Sequence, residues 1–339
     1  MRFGRTPEQH AFSEALDDLL GTAGVPSVAR AWAAGDHSSG LKLWQRLAEL
    51  GVTGLLVPEA HGGVGATPVD LTVAFERLGY HGVPGPWIEC VAVTPTLVVG
   101  TPLADLLARL AAGETVVSVA PPLVLPEAAR PEAEQASAVK EKFLSRPARA
   151  VDADIAERTY ALSTTLHDAV VGTERRSVDP TRRLFDVTPG EEIATVDAAT
   201  AHDLGTLACS AQLLGAGLRL LDDSVAYVKQ RTQFGRPIGE FQAVKHLLAD
   251  VRVALDFAAP LVHNASLTLE PRDVSAAKVA AGDAAYLASR TALQVHGAIG
   301  YTREFDLSLW ILKVRALVGA WGTPAEHRAR ILESLVEGR

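Results

Sequence analysis

The segment 231–242 combines residue types that could bind a phosphate-bearing ligand. Arg231, Thr232 and Gln233 offer several polar donors beside the aromatic side chain of Phe234. A guanidinium fork suits a pyrophosphate, and an apolar or aromatic wall suits an adenine ring. The types and spacing of these residues therefore favour a dinucleotide as ligand.

A second segment, 294–304, reads Q-V-H-G-A-I-G-Y-T-R-E. Gly297 and Gly300 permit the backbone to approach a bound group closely, because glycine has no Cβ. Glu304 follows this glycine-containing turn, beside an aromatic residue on each side. Its carboxylate could cap the helix that starts near Asp306 or form an ion pair with Arg303.

Other common catalytic patterns are missing from the sequence. The glycines over 62–65 do not form G-x-G-x-x-G, and no strand–turn–helix pattern surrounds them. Neither a phosphate-binding P-loop nor a G-x-S-x-G nucleophile elbow occurs. The ten histidines show no H-x-x-x-H or H-E-x-x-H spacing, so we expect no metal site.

Composition narrows the class of protein further. The net charge of −8 and the pI of about 5.7 argue against nucleic acid or an anionic membrane as a partner. Two cysteines, Cys90 and Cys209, are too few for a disulfide framework and are expected as reduced core residues. We expect no signal peptide and no apolar run of roughly 18 residues that could span a bilayer. These features predict a soluble, cytoplasmic protein.

Hydrophobic periodicity predicts the elements that must position the two segments. Helices are expected at 6–20, where Thr6 and Gln9 can form a capping box, and at 41–50, 68–79 and 102–112. Short β-branched runs predict strands around 115–119, 160–165, 169–171 and 184–187, with an irregular connection over 121–135. Apolar residues three and four apart then predict long helices over 198–339, including 207–228, 244–255, 273–296 and 324–336.

The order of these elements predicts a mainly α fold with a small middle β domain. We expect an N-terminal helical domain (1–112), a shortened β domain (113–197) and a C-terminal helical bundle (198–339). Long antiparallel helices joined by short loops favour a four-helix bundle in the last part. Both candidate segments fall within this bundle, at turns between helices.

Together the two segments resemble the signature regions of the acyl-CoA dehydrogenases. The resemblance extends to the N-terminal helix, to the passage L-A-E-L-G…V-P-E…G-G-x-G over 47–65, and to the helix–β–helix order. It implies an acyl-CoA dehydrogenase fold and α,β-desaturation of an acyl-CoA thioester. It also implies FAD as cofactor and an electron-transfer flavoprotein as electron acceptor.

The resemblance also implies which residues bind the cofactor. In that family FAD lies at a subunit interface, where one subunit's β domain holds the flavin ring. The neighbouring subunit supplies two turns to the pyrophosphate and adenosine. The matching positions are Arg231, Thr232, Gln233, Phe234, Phe241, Gln242, Gln294, Val295, His296, Gly297 and Ala298. Ala298 stands where the family has a second glycine.

Glu304 falls where many members place the catalytic base, which removes the α-proton while the β-hydride goes to the flavin. The capping and ion-pair alternatives for Glu304 remain open. Some members instead carry a catalytic glutamate on the helix before R-T-Q-F-G. The matching positions here are about Gly205 and Thr206, so no substitute base is expected there.

The middle domain departs from the family pattern. Neither an Ile-Thr-Asn type tripeptide nor a Thr-Glu-Pro type loop occurs in 113–197; the chain reads S-V-A-P-P-L over 118–123 instead. We therefore expect this chain to contribute half of the binding site for a partner's FAD. We expect it to lack the other half of the site, which would hold its own flavin ring. This pattern resembles the smaller subunit of actinobacterial α2β2 acyl-CoA dehydrogenases of steroid side-chain breakdown.

Several alternatives stay open at this point. A self-sufficient homotetramer could use Glu304 as its base. An oxidase or flavin monooxygenase could share the same fold. A non-catalytic subunit could act only by stabilising a partner. In the heterotetramer, the expected partner is a longer acyl-CoA dehydrogenase paralogue.

Overall fold

Helices dominate the first third of the chain in a computed structural model that describes residues 4–121 and 148–337. These helices are α1 (Pro7–Thr22), α2 (Val25–Ala33), α3 (Ser38–Glu49), α4 (Pro68–His81), α5 (Thr94–Val98) and α6 (Leu106–Ala111). The predicted capping box is confirmed, since Thr6 Oγ1 accepts from Gln9 N at 3.3 Å and Gln9 Oε1 accepts from Thr6 N at 3.1 Å. The four predicted helices correspond to α1, α3, α4 and the shorter α6.

Three helical segments of this part were not predicted, namely α2, α5 and a π-helix that precedes α5. Helix α2 begins after Gly24, which adopts the left-handed conformation and offers no side-chain cap. A π-helix over Ile88–Val93 precedes α5 and is wholly buried. Helix α2 has Pro26 in its first turn, but no polar side chain caps its start.

A five-stranded mixed sheet follows. Its strands are β1 (Val117–Ala120), β2 (Ala148–Val151), β3 (Arg158–Leu162), β4 (Thr165–Arg175) and β5 (Leu184–Thr195), in the spatial order β1-β3-β4-β5-β2. Only the β1–β3 pair is parallel among these neighbours. The predicted runs match β1, β3, β4 and β5, whereas the short β2 was missed. The irregular connection expected over 121–135 lies, apart from Pro121, outside the described residues.

The last part is a helical bundle. It contains α7 (Ala198–Gln230), α8 (Gln242–Thr268), α9 (Pro271–His296), α10 (Leu307–Gly319) and α11 (Pro324–Glu337). Helix α7 is long and apolar enough to cross a membrane by length and composition, but 89% of its most apolar window is buried inside the protein. It is therefore the central helix of the core. The predicted fold class, mainly α with a small middle sheet, is confirmed.

The helical parts pack closely where α4 crosses α7. A Cβ added at Gly79 would lie 2.1 Å from the Gln212 carbonyl oxygen, and one at Gly215 would lie 1.9 Å from the Glu76 carbonyl oxygen. Both positions therefore need glycine. Cys90 and Cys209 are buried and free, as expected of core residues.

Polar contacts attach the sheet to both helical parts. Asp152 Oδ1 accepts from Trp32 Nε1 of α2 at 3.2 Å and from the backbone N of Arg183 at 3.1 Å. Lys313 of α10 donates to Thr181 Oγ1 at 3.1 Å, in the turn between β4 and β5. These contacts fix that turn between α2 and α10.

Candidate FAD-binding surface

The R-T-Q-F-G segment forms a small β-hairpin immediately after α7. Strands β6 (Thr232–Gln233) and β7 (Arg236–Pro237) pair on either side of Phe234 and Gly235. Both turn residues have positive φ, 53° and 80°. This is the geometry of a tight two-residue hairpin turn, and it accounts for the glycine. The predicted turn is confirmed, and it projects from the end of the bundle.

The hairpin exposes the side chains that were expected to bind a cofactor. Arg231, Thr232 and Gln233 are exposed, and Phe234 is 91% exposed. Within residues 4–121 and 148–337, the Arg231 side chain makes no hydrogen bond and no ion pair. A free guanidinium next to an exposed aromatic ring is available to a ligand outside this chain.

Phe241 supports the hairpin from below. Its ring is half-buried and lies edge-on to Phe234, with 6.2 Å between the ring centroids. The guanidinium of Arg236 stacks over the same ring at 4.2 Å. Gln242, the first residue of α8, is exposed. Phe241 therefore holds the hairpin in place, whereas Gln242 remains available at its edge.

The second predicted segment forms the turn after α9. Gly297 ends the helix with φ 62° and ψ −138°, and a Cβ at this position would meet nothing within 4 Å. Gln294, Gly297 and Ala298 are exposed, and Val295 is half-buried. The backbone at Gly297 is thus open to close approach by a ligand.

His296 differs from its neighbours because its ring is buried. It stacks on Tyr227, with 4.1 Å between the ring centroids, and lies 5.5 Å from the ring of Phe305. Nδ1 contacts the Ala292 carbonyl oxygen at 2.8 Å, and Nε2 has no hydrogen-bond partner among the described residues. Burial lowers the pKa of His296, so the ring is neutral near neutral pH.

The Tyr227–His296 stack brings the two predicted segments together. Tyr227 lies in the last turn of α7, directly before the hairpin, and His296 ends α9, directly before Gly297. The hairpin and the second turn therefore share one end of the bundle. Their combined surface offers a guanidinium, an aromatic ring, amide groups and an open glycine, and these residues fit the pyrophosphate and adenosine half of FAD.

Glu304 lies on the surface. Its backbone carbonyl oxygen accepts from Arg30 Nη2 of α2 at 3.2 Å, and the same guanidinium lies 2.5 Å from Asp306. These contacts fix the loop between α9 and α10. The Glu304 side chain itself is exposed to solvent rather than enclosed in a pocket.

The interior beside Gly205 is filled by Trp321, which sequence reasoning missed. A Cβ at Gly205 would lie 2.7 Å from the Trp321 ring, and Thr206 Oγ1 donates to the Trp321 carbonyl oxygen at 3.3 Å. Trp321 is 4% exposed and has φ 54°. The place where a substitute base could project from α7 is thus occupied by an indole.

Glu89 is the buried carboxyl group beside this indole, and it was also missed. It lies on the π-helix, is hydrogen-bonded to Trp321, and its Oε2 has no hydrogen-bond partner among the described residues. Burial raises the pKa of Glu89, while the positive charge of Arg182 acts in the opposite direction. No spacing pattern links residues 89, 205 and 321, so only the fold identifies this cluster.

Comparison with known proteins agrees with the resemblance of the two segments. The acyl-CoA dehydrogenase N-terminal domain matches residues 6–114, and the acyl-CoA dehydrogenase C-terminal domain matches residues 198–336. The acyl-CoA dehydrogenase IpdE2 of Mycolicibacterium smegmatis is 31% identical over 96% of this chain and 97% of its own length.

Solved structures show the same fold at lower identity. The ChsE4-ChsE5 complex from Mycobacterium tuberculosis contains a chain that superposes with a TM-score of 0.79 at 19% identity, covering 99% of each chain. The steroid ACAD Tcur3481-Tcur3483 superposes with a TM-score of 0.81 at 21% identity, covering 98% of each. The family models and the similarity to IpdE2 together show that this chain belongs to the acyl-CoA dehydrogenases, a family of FAD-dependent oxidoreductases that act on acyl-CoA.

Proposed function

We propose that this chain is a subunit of an FAD-dependent acyl-CoA dehydrogenase that desaturates an acyl-CoA thioester between its α and β carbons. In this proposal its exposed hairpin and the 294–298 turn bind the pyrophosphate and adenosine of FAD held by a partner subunit. The observation that carries the proposal is that these two turns lie side by side at one end of the bundle. Their polar and aromatic side chains are exposed there to a ligand.

Each group on this surface has a defined task in the proposal. The Arg231 guanidinium neutralises the pyrophosphate, and the Phe234 ring packs on the adenosine. Gln294 donates its amide beside the open backbone of Gly297. His296 is buried, so it acts by fixing the turn through Tyr227. FAD, when bound, supplies the acceptor for the β-hydride of the substrate.

The chain's own interior supports a division of labour between two subunits. The space beside Gly205 is filled by Trp321, and Glu304 is exposed to solvent. We therefore assign the proton-abstracting base to the partner, a longer acyl-CoA dehydrogenase paralogue. We further propose that the two subunits form an α2β2 assembly and act on a bulky or steroid-side-chain acyl group. The proposed electron acceptor is an electron-transfer flavoprotein. The similarity to a steroid ACAD and to the ChsE4-ChsE5 complex supports this proposal.

The test is to measure flavin on the chain alone and on the chain co-expressed with its partner. We expect stoichiometric FAD only in the complex. Arg231→Ala and Gln294→Ala should each lower the FAD content and the dehydrogenase activity of the complex. Arg252→Ala, which removes an exposed arginine paired with Asp256 elsewhere on α8, is the matched control and should change neither.

Two outcomes would overturn this proposal. Stoichiometric FAD on the chain alone would show that it holds its own flavin and favour a homotetramer. Full activity of the complex after both Arg231→Ala and Gln294→Ala would favour a stabilising subunit that does not touch the cofactor. A cytoplasmic location is part of the same proposal, and the two free cysteines agree with a reducing compartment.

A further inference from the structure

A cavity of about 650 Å³ is lined by none of the residues proposed to bind FAD. One wall is the turn between β4 and β5, including Arg176 and Arg182. The opposite wall comes from the end of α9, the loop after it and α10, including Arg303. Its volume falls within the roughly 300–1,000 Å³ typical of small-molecule sites.

The cavity is strongly cationic in a chain whose net charge is −8. Five arginines and one glutamate line it. Arg183 pairs with Asp154 and Glu174, and Arg175 pairs with Asp186.

Two of the lining arginines remain available to a ligand. Arg176 and Arg303 are both exposed, and neither forms an ion pair in the part of the chain that the structure describes. They approach the cavity from opposite walls. Two guanidinium groups that face one cavity can bind a single anionic group between them.

The remaining lining is largely apolar. Leu293, Ile311 and Leu312 contribute half-buried aliphatic side chains from the helical wall. Val178 and Tyr301 are 54% and 75% exposed at the cavity. A bare inorganic anion would leave this surface uncovered, whereas a ligand with an apolar body would bury it.

Both walls are fixed by internal contacts. Lys313 of α10 donates to Thr181 at 3.1 Å and lies 3.4 Å from Asp179, which anchors the β4–β5 turn. Arg30 anchors the other wall through Asp306 at 2.5 Å. The cavity is therefore shaped before any ligand binds, which lowers the entropic cost of binding.

We infer that this cavity binds a small amphipathic anion, namely one carboxylate or phosphate group on an apolar body, with Arg176 and Arg303 holding the anion. The inference goes beyond the proposed function, because it uses none of the residues assigned to FAD and needs no partner subunit. The ligand's apolar body lies against Leu293, Ile311 and Leu312.

Calorimetric titration of the full chain with laurate and with dodecyl phosphate, below their micelle concentrations, tests the inference. We expect saturable binding of one molecule per chain. The double variant Arg176→Gln, Arg303→Gln should bind at least about tenfold more weakly, because both charge-assisted contacts are lost. Arg252→Gln is the matched control and should bind as the unmodified chain does.

A second variant tests the apolar part. Val178→Trp changes an exposed position, keeps the charge and fills the cavity, so it should abolish binding while circular dichroism shows an unchanged fold. For the unmodified chain, the ratio of the dissociation constants of laurate and dodecyl phosphate identifies the preferred anionic group.

Three results would overturn the inference: no saturable binding of either probe, equally tight binding of neutral dodecanol, or equally tight binding of inorganic phosphate. The FAD content of the partner complex should stay unchanged in all these variants. Failure of this inference is therefore distinguishable from failure of the proposed function.

Discussion

At the residue scale, Trp321 shows how one side chain can close an interior. Its ring lies where a side chain at Gly205 would project, and its contacts include the buried carboxyl group of Glu89. Trp321→Ala should lower the free energy of unfolding by about 3–5 kcal/mol, because it leaves a cavity and removes a partner of Glu89. Chemical denaturation measures this. A loss below about 1 kcal/mol would contradict the packing described here.

Glu304 leads to a second prediction at this scale. Because its side chain is exposed and only its backbone contacts Arg30, Glu304→Gln should leave turnover by the assembled complex close to normal. Steady-state kinetics of the complex checks this. Loss of a general base lowers the rate by roughly 10²–10⁴-fold, so a fall of that size would identify Glu304 as the base and favour the homotetramer.

Individual residues differ in how far the sequence reveals their position. Gly235 and Gly297 were recognisable, because a turn next to polar and aromatic residues has a local pattern. Trp321 and Glu89 were not, because these two residues and Gly205 each lie more than 100 residues apart along the chain. His296 was predicted to touch the cofactor, and only its stacking on Tyr227 shows that its ring is buried.

At the scale of elements, the crossing of α4 and α7 depends on glycine. Gly215→Ala would place a Cβ 1.9 Å from a backbone oxygen of α4, so the helices must separate. We expect a destabilisation of about 1–3 kcal/mol or more. Gly282→Ala in α9 is the matched control, because its Cβ would meet nothing within 4 Å.

The control substitution should stabilise the protein rather than destabilise it. Gly282→Ala should raise the free energy of unfolding by up to about 1 kcal/mol, because alanine favours the helix more than glycine does. Thermal and urea unfolding of both variants provide the comparison. Equal effects of the two substitutions would contradict the close crossing of α4 and α7.

Elements with local start signals were predicted well. The capping box of Thr6 and Gln9 located α1, and long apolar periodicity located α7, α8 and α9. Helix α10 was expected to start near Asp306, and it begins at Leu307; Asp306 itself forms no side-chain cap and instead pairs with Arg30. The π-helix over Ile88–Val93 has a geometry that a 3.6-residue pattern does not describe.

At the scale of the whole molecule, Asp152 connects α2, the sheet and the β4–β5 turn. Burial raises the pKa of Asp152 to about 7, against the hydrogen bond from Trp32, which lowers it. The unfolded value is near 3.8, so the folded protein keeps a proton that the unfolded chain has released. The contribution of Asp152 to stability is therefore complete below the unfolded pKa and is lost as pH rises through about 7.

The corresponding prediction compares the protein with Asp152→Asn, whose amide oxygen can still accept from Trp32. Between about pH 4 and pH 7 the unmodified protein should lose stability relative to this variant, by on the order of a few kcal/mol. Denaturation curves at a series of pH values measure the difference. A constant difference across this range would show that Asp152 does not titrate there. The pKa of Glu89 is also raised, so this group too loses stabilising effect as the pH rises, whereas the lowered pKa of Asp203 has the opposite effect. Comparison with Asp152→Asn therefore isolates the contribution of Asp152.

The exposed hairpin at 231–237 should make the isolated chain sensitive to proteolysis. Phe234 is 91% exposed and lies between Arg231 and Arg236, in a projecting turn that a protease can reach. Trypsin should cut the isolated chain after Arg231, whereas the bond between Arg236 and Pro237 resists trypsin because of the proline. In the proposed complex, the bound partner should block the cut. If the proposed complex forms, copies made in excess of the partner would be degraded first, so the turn proposed to bind the cofactor would also keep the amounts of the two subunits in balance.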